Sequence, residues 1–277
     1  MGSIHDLHTH STASDGTLTP TALVARAAEV GIQVLALTDH DTLNGIAEGQ
    51  AAASELGLTL IPGVEISVTW GGRTLHILGL GIDPAAPALN AGLGGVRDYR
   101  DWRAKEIGQR LAAKGIDGAY AGALALAADE HFVGRTHFAR FLVQRGYAAT
   151  VRDVFKRYLV KGKPGHVTGN WASLEEALGW IREAGGQAVV AHPARYGLTG
   201  FKMRHLIGEF RELGGVGIEV ISGSHSRDEA CVYAQRARDF ALLASAGSDY
   251  HGPEHPYMEL GRLPKLPPGC VPIWADW

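Results

Sequence analysis

The chain has 277 residues, 45% of them hydrophobic and 20% charged, with 37 glycines, 12 prolines, two cysteines and a formal net charge of −3. The apolar fraction excludes a disordered chain, the glycines follow no collagen-like period, and Cys231 and Cys270 are too few for a disulfide framework. No apolar run reaches the roughly 18 residues of a membrane helix and no signal peptide is evident, so the expectation is a soluble, cytoplasmic protein with no membrane and no obligate protein partner.

In chain order, Ile4–Leu7 reads as a short strand leading into His8-Thr9-His10-Ser11. Thr19 as N-cap and Pro20 at the first position open a helix that Gly31 ends. Val34–Thr38 is a continuous apolar strand of the kind a parallel sheet buries. A helix over Asn44–Leu56 follows, then a strand over Thr59–Val68 and, across Gly71-Gly72, its hairpin partner Thr74–Leu80. Beyond Pro84 the strand pattern stops. Arg97–Lys114, Ala119–Ala128, Arg135–Arg145 and Val151–Val160 read as helices, and Lys161-Gly162-Lys163-Pro164-Gly165 as a linker. Alternation resumes with a capping box at Ser173-Leu174-Glu175-Glu176 and strands at Ala188–Ala191, Val216–Ile221 and Leu242–Ala246. The pattern predicts an α/β protein: a βα barrel built from residues 1–96 and 165–277, interrupted by a helical insertion at 97–164. That insertion holds 14 of the 26 Lys and Arg but 7 of the 29 Asp and Glu, so it carries +7 and the remainder −10. A basic segment in an acidic chain reads either as a surface for an anion or as a solvated helical face.

Nine polar side chains fall at or near the strand ends that such a barrel brings to one rim. They are His8, His10, Asp15, His40, Glu65, His76, His192, Asp249 and His251. A lone His-X-His is often incidental, because alternate strand residues share a face whatever their role. Asp39 and Asp41 beside His40 read equally well as loop residues. The whole set is harder to explain without metal, since burying so many imidazoles and carboxylates is unfavourable unless they are paired or ligating. Nine ligands exceed the needs of one ion and suit three. Imidazole-rich ligation favours Mn²⁺, Fe or Zn²⁺ over Mg²⁺ and Ca²⁺. Three divalent ions against three carboxylates leave about +3, which a phosphate dianion and a hydroxide balance. The site therefore reads as one for phosphate esters.

The runs Asp6-Leu7-His8-Thr9-His10-Ser11, Asp15-Gly16, Leu37-Thr38-Asp39-His40, Gly63-Val64-Glu65, Ala191-His192-Pro193 and Asp249-Tyr250-His251, together with His76, resemble the four motifs of the PHP (polymerase and histidinol phosphatase) family. The resemblance implies a distorted (β/α)₇ barrel with a trinuclear metal centre. It also implies the ligand sets: His8, His10, Glu65 and Asp249 for one ion, Glu65, His76 and His192 for a second, and Asp15, His40 and His251 for the third. Within such a centre, water attacks phosphorus in line, Asp249 orients it, His192 assists proton transfer, and Asp15, His40 and His251 lie where the substrate phosphate is fixed.

Specificity is expected from the insertion. Trp102-Arg103-Ala104-Lys105 offers an aromatic face and two cations, with one buried Trp on an otherwise solvated helix as the alternative. Arg135 follows Gly134 at a helix start, where the macrodipole disfavours a cation but backbone N–H groups suit an anion. Arg140 and Arg145 read as outer-face residues, Lys161 and Lys163 as linker cations, and the seven histidines outside the cluster as surface or structural. The order of motifs is similar to that of small PHP phosphatases that remove the 3′-phosphate of 3′,5′-bisphosphate nucleosides such as pAp. Three alternatives stand beside that activity: 5′–3′ exoribonuclease action on short RNA, histidinol phosphate phosphatase action, and a structural module without turnover.

Overall fold

The computed structural model describes residues 4–127, 132–254 and 259–277, so His131, His255 and the predicted helix end at Ala128 lie outside the described residues. Seven strands follow one another around one sheet in chain order: β1 (His5–Thr9), β2 (Val34–Leu37), β3 (Thr59–Trp70), β4 (Arg73–Leu80), β5 (Gln187–Val190), β6 (Gly217–Ser222) and β7 (Leu243–Gly247). Pairing is parallel except at β3–β4 and β4–β5, because the hairpin reverses β4. Gly71 and Gly72 both have positive φ, +54° and +71°, as a two-residue hairpin turn of this twist requires. The two edges meet beyond β7: Tyr250 bridges to Thr9, the His10 N–H donates to Tyr250 O at 2.9 Å, and the Asp249 N–H donates to His8 O at 2.8 Å. The result is the expected nearly closed seven-stranded α/β barrel with one reversed strand.

Nine α-helices occur among the described residues: α1 (Pro20–Glu29), α2 (Ile46–Leu56), α3 (Pro87–Ala112), α4 (Ala119–Leu124), α5 (Arg135–Gln144), α6 (Val151–Val154), α7 (Leu174–Glu183), α8 (Gly200–Glu212) and α9 (Arg227–Asp239). Helices α7, α8 and α9 bury Ile181, Phe210 and Ala234 in one cluster with Ile77, Val190 and Ile218 of the sheet. A separate cluster joins Ala104, Ile107 and Leu111 of α3 to Phe138 and Leu142 of α5 and to Leu159.

Two expectations need correction. Helix α3 begins at Pro87, ten residues before the helix start expected at Arg97. Its first half contributes Leu89 and Leu93 to the barrel cluster and its second half supports the other core. Three glycines between 92 and 95 disguise the early turns, each costing about 1 kcal/mol of helix propensity relative to Ala. Gly92 has a packing reason, since a Cβ there would lie 2.3 Å from the Trp180 ring. The predicted helix Val151–Val160 is also not uniform: after α6 the chain widens into a π turn over Phe155–Leu159.

Candidate metal centre

At the end of β1 the two-residue period places His8 and His10 on one face. Their Nε2 atoms are 3.1 Å apart, and each is 3.2 Å from Glu65 Oε2. Asp249 Oδ1 lies 3.4 Å from His8 and 3.3 Å from His10. Bonds of about 2.0–2.2 Å to a shared ion put neighbouring ligand atoms roughly 3.0–3.5 Å apart, so these four atoms outline one coordination shell. Glu65, in β3, turns its other oxygen away: Oε1 lies 2.8 Å from both His76 Nδ1 and His192 Nε2, themselves 3.3 Å apart. Asp15 Oδ1 meets His251 Nε2 at 3.2 Å and His40 Nε2 at 4.0 Å. Eight of the nine residues singled out in the sequence fall into three groups able to hold a metal ion, namely His10, Asp15, His40 and His251, then His8, His10, Glu65 and Asp249, then His40, Glu65 and His76. His192 stands outside these groups but beside them, through its contact with Glu65 Oε1. His40 belongs to two of those groups, because its Nδ1 also faces Glu65 Oε2 at 3.0 Å.

Hydrogen bonding alone does not explain this packing. Glu65 Oε2 and Asp15 Oδ1 are buried and accept no well-aligned hydrogen bond among the described residues, although imidazoles crowd both. Buried acceptors left this way cost about 1–3 kcal/mol each, and cations between the ligands would satisfy them. The donor set of six imidazoles and three carboxylates fits divalent transition ions. Burial pushes the Glu65 and Asp15 carboxyls up, but the surrounding imidazoles outweigh it and hold both well below the usual carboxylate range. At Asp249 burial is likewise overcome, by Arg195 and then His8. Burial lowers His192 to about 4, leaving a neutral imidazole, the form that ligates.

The loops that carry the ligands are built by their neighbours. Asp39 accepts from the Ser11 N–H and hydroxyl at 2.7 Å each and from the Ser14 hydroxyl at 2.6 Å, which folds the turn bearing Asp15. Asp41, at φ +54°, accepts from the Ser67 N–H at 2.6 Å and from Arg100 of α3. Both aspartates are therefore loop-building residues rather than ligands. His192 and Asp249 also hold positive φ, +25° and +57°. Backbone strain of this kind, of order 1–3 kcal/mol, gathers at functional sites.

Six of the nine, Asp15, His40, His76, His192, Asp249 and His251, line a cavity of about 260 Å³ whose remaining wall comes largely from α3, α5 and the π turn. Arg103, Gly134 and Arg135 line it as expected. Trp102 and Lys105 do not: both are exposed, and Trp102 lies against Tyr99 with ring centroids 5.4 Å apart. On a helix, positions three apart share a face; Arg100 and Arg103 form one such pair, Trp102 and Lys105 another. The cavity's aromatics are Trp171 and Phe155, and its unforeseen cations are Arg100 and Arg195. Arg100 pairs with Asp41, and Arg195 with Asp249. Arg103 and Arg135 have no carboxylate partner among the described residues. Burial and the neighbouring arginines lower Arg103 to about 9, and burial followed by Arg100 lowers Arg135. The Gly134 N–H is already taken by His137 Nδ1 at 3.1 Å, so it is not the free anion donor that the helix start implied. Thr136 donates its hydroxyl to Asp15 Oδ2 at 3.3 Å, tying the start of α5 to the ligand cluster. A second cavity of about 470 Å³ adjoins the first, sharing Thr136, Phe155, Arg195, Asp249 and His251. Of the other histidines, His5 stacks on Trp274, His137 caps α5 and His225 stacks on Tyr233, all structural contacts.

A near-closed barrel with this ligand set on its rim defines a metal-dependent phosphoesterase of the barrel type. The chain belongs to the PHP domain family, whose model matches residues 6–188. It is 50% identical to a 3′,5′-nucleoside bisphosphate phosphatase of Chromobacterium violaceum over 98% of this chain and 95% of that one. A 5′-3′ exoribonuclease of Haemophilus influenzae is 46% identical over 99% of this chain and 98% of that protein. Among solved structures, an amidohydrolase from Chromobacterium violaceum superimposes with a TM-score of 0.94 at 50% identity, covering 98% of this chain and 94% of that one.

Proposed function

We propose that the protein removes the 3′-phosphate from 3′,5′-bisphosphate nucleosides such as pAp, yielding a 5′-mononucleotide and phosphate. One observation carries the reading: Arg103 and Arg135, without carboxylate partners among the described residues, face the candidate ligands across a single cavity. A substrate with one phosphate to be cleaved and another to be held answers both features, and Trp171 and Phe155 offer faces for a base. In this reading residues 97–164 cap a barrel formed by 1–96 and 165–277, in a cytoplasmic protein.

His8, His10, Glu65 and Asp249 would hold one ion, Glu65, His76 and His192 a second, and Asp15, His40 and His251 a third, with Mn²⁺ the first choice. Bound ions supply Lewis acidity and water that ionises near neutral pH. Asp249 orients the attacking water, whose oxygen bonds to phosphorus as the bond to O3′ breaks. His192 assists passage of the proton released by the attacking water to the leaving O3′. Arg103 and Arg135 hold the 5′-phosphate, so that remote binding aligns the reacting one.

The test is kcat/KM for pAp, a 5′-phosphorylated dinucleotide and histidinol phosphate, with Mn²⁺ present. We expect pAp to lead, and Asp15→Ala or His40→Ala to lower its turnover on the order of 10³-fold in a folded protein. A strong preference for histidinol phosphate, or near-normal turnover in either variant, overturns the assignment. The adjoining 470 Å³ cavity favours short 5′-phosphorylated RNA as a second substrate on the same chemistry, and the dinucleotide reports on it.

A further inference from the structure

Glu219 lies in β6, fully buried, and outside the three ligand groups. Its carboxylate spans two of the metal-facing histidines. Oε1 accepts from His8 Nδ1 at 2.7 Å, and Oε2 accepts from the backbone N–H of His192 at 2.5 Å. We propose that Glu219 is a positioning residue that fixes His8 and His192 together and so couples two ion positions of one centre. The proposal rests on the metal-centre reading above.

Each contact has a defined effect. A proton on His8 Nδ1, donated to Glu219, leaves the lone pair on Nε2, the atom that faces His10, Glu65 and Asp249. The second contact holds the backbone of His192 at φ +25°, a conformation that residues with side chains rarely adopt, and from there Nε2 reaches Glu65 Oε1 at 2.8 Å. The surroundings are shaped for this carboxylate. The β6–β7 pairing shifts register between Glu219 and Ile221, and such irregularities re-aim side chains. Opposite, Gly247 leaves the space: a Cβ there would lie 2.2 Å from His8 Cβ and 2.9 Å from Glu219 Oε1. No Lys or Arg forms an ion pair with Glu219 among the described residues, so its burial is answered by the His8 imidazole and the His192 amide.

The test uses the whole chain, stripped by a chelator and titrated with Mn²⁺, with bound metal counted by mass spectrometry and melting followed by circular dichroism. Glu219→Gln keeps the shape and loses the charge. We expect its metal-free melting temperature to stay within about 4 °C of wild type, while Mn²⁺ affinity falls about 10–100-fold. Glu219→Asp restores the charge but is one methylene too short to reach both partners, so its affinity stays low; it also decides the question if the Gln variant does not fold. Wild-type affinity in either variant overturns the two-point bridge, as does a larger loss of metal-free stability with affinity unchanged. A wild-type protein that takes up no Mn²⁺ overturns the metal-centre reading itself, a failure distinct from that of Glu219.

Discussion

At the scale of single residues, the arginines of the cavity divide by partner. Arg100 and Arg195 are neutralised by Asp41 and Asp249, whereas Arg103 and Arg135 bring charge that no carboxylate among the described residues answers. A charge-assisted hydrogen bond to phosphate is worth about 1.5–3 kcal/mol. Arg103→Ala and Arg135→Ala are therefore expected to raise KM for pAp about 10–150-fold while leaving kcat for p-nitrophenyl phosphate within a few-fold. Trp102→Ala, outside the cavity, is expected to leave both substrates unchanged; steady-state kinetics on the three variants checks all of this. Most of the nine candidate ligands were legible in the sequence because His8, His10, His40, His192, Asp249 and His251 sit in short runs at or just beyond strand ends, whereas Glu65 and His76 lie inside β3 and β4 and Asp15 lies in a turn. Arg100, Arg195 and Glu219 carry no such local sign. Glu219 interrupts the otherwise apolar run Gly217–Ile221, and that lone charge in a buried strand was the available signal. Trp102 misled because adjacency in sequence was read as adjacency in space, which a helix denies to positions one apart.

At the scale of elements, α3 links the two cores. Arg100 anchors it by pairing with Asp41, whose loop follows β2, and by lying over the Phe132 ring at 4.3 Å. Removing one partner of a buried pair strands the other charge and typically costs about 3–5 kcal/mol. Arg100→Leu in metal-free protein is expected to lose that much in urea denaturation, and Asp41→Asn added to it to recover a measurable part. A single variant with unchanged stability would show that the helix needs no such anchor. The hairpin at Gly71-Gly72 was readable because its turn demands positive φ at both positions. The start of α3 was not, because three glycines weaken its propensity; Gly92 is required by its packing against Trp180, while Gly94 and Gly95 face open space and the structure gives no packing reason for them.

At the scale of the whole molecule, the charge is arranged in two unlike parts. Residues 97–164 carry +7 and the remainder −10, so the net −3 conceals a field directed across the cavity between them. The acidic part includes Asp15, Glu65 and Asp249 of the candidate ligand cluster, two of which, Asp15 and Asp249, line the cavity, and the basic part supplies Arg100, Arg103 and Arg135 to that cavity. Such a field gathers anions from solution, and its reach is set by the Debye length, about 10 Å at 0.1 M salt and 3 Å at 1 M. A bisphosphate nucleotide carries roughly twice the charge of p-nitrophenyl phosphate near neutral pH, each phosphate contributing about −1.5 to −2. Raising NaCl from 0.05 to 0.5 M (working values chosen to bracket about 10 Å of screening) is therefore expected to lower kcat/KM for pAp more steeply than for p-nitrophenyl phosphate, with kcat for both nearly constant. Parallel slopes would mean that the basic cap acts through contacts alone. In that case Arg103→Ala and Arg135→Ala would lower affinity without flattening the salt dependence, whereas long-range steering requires both effects to move together.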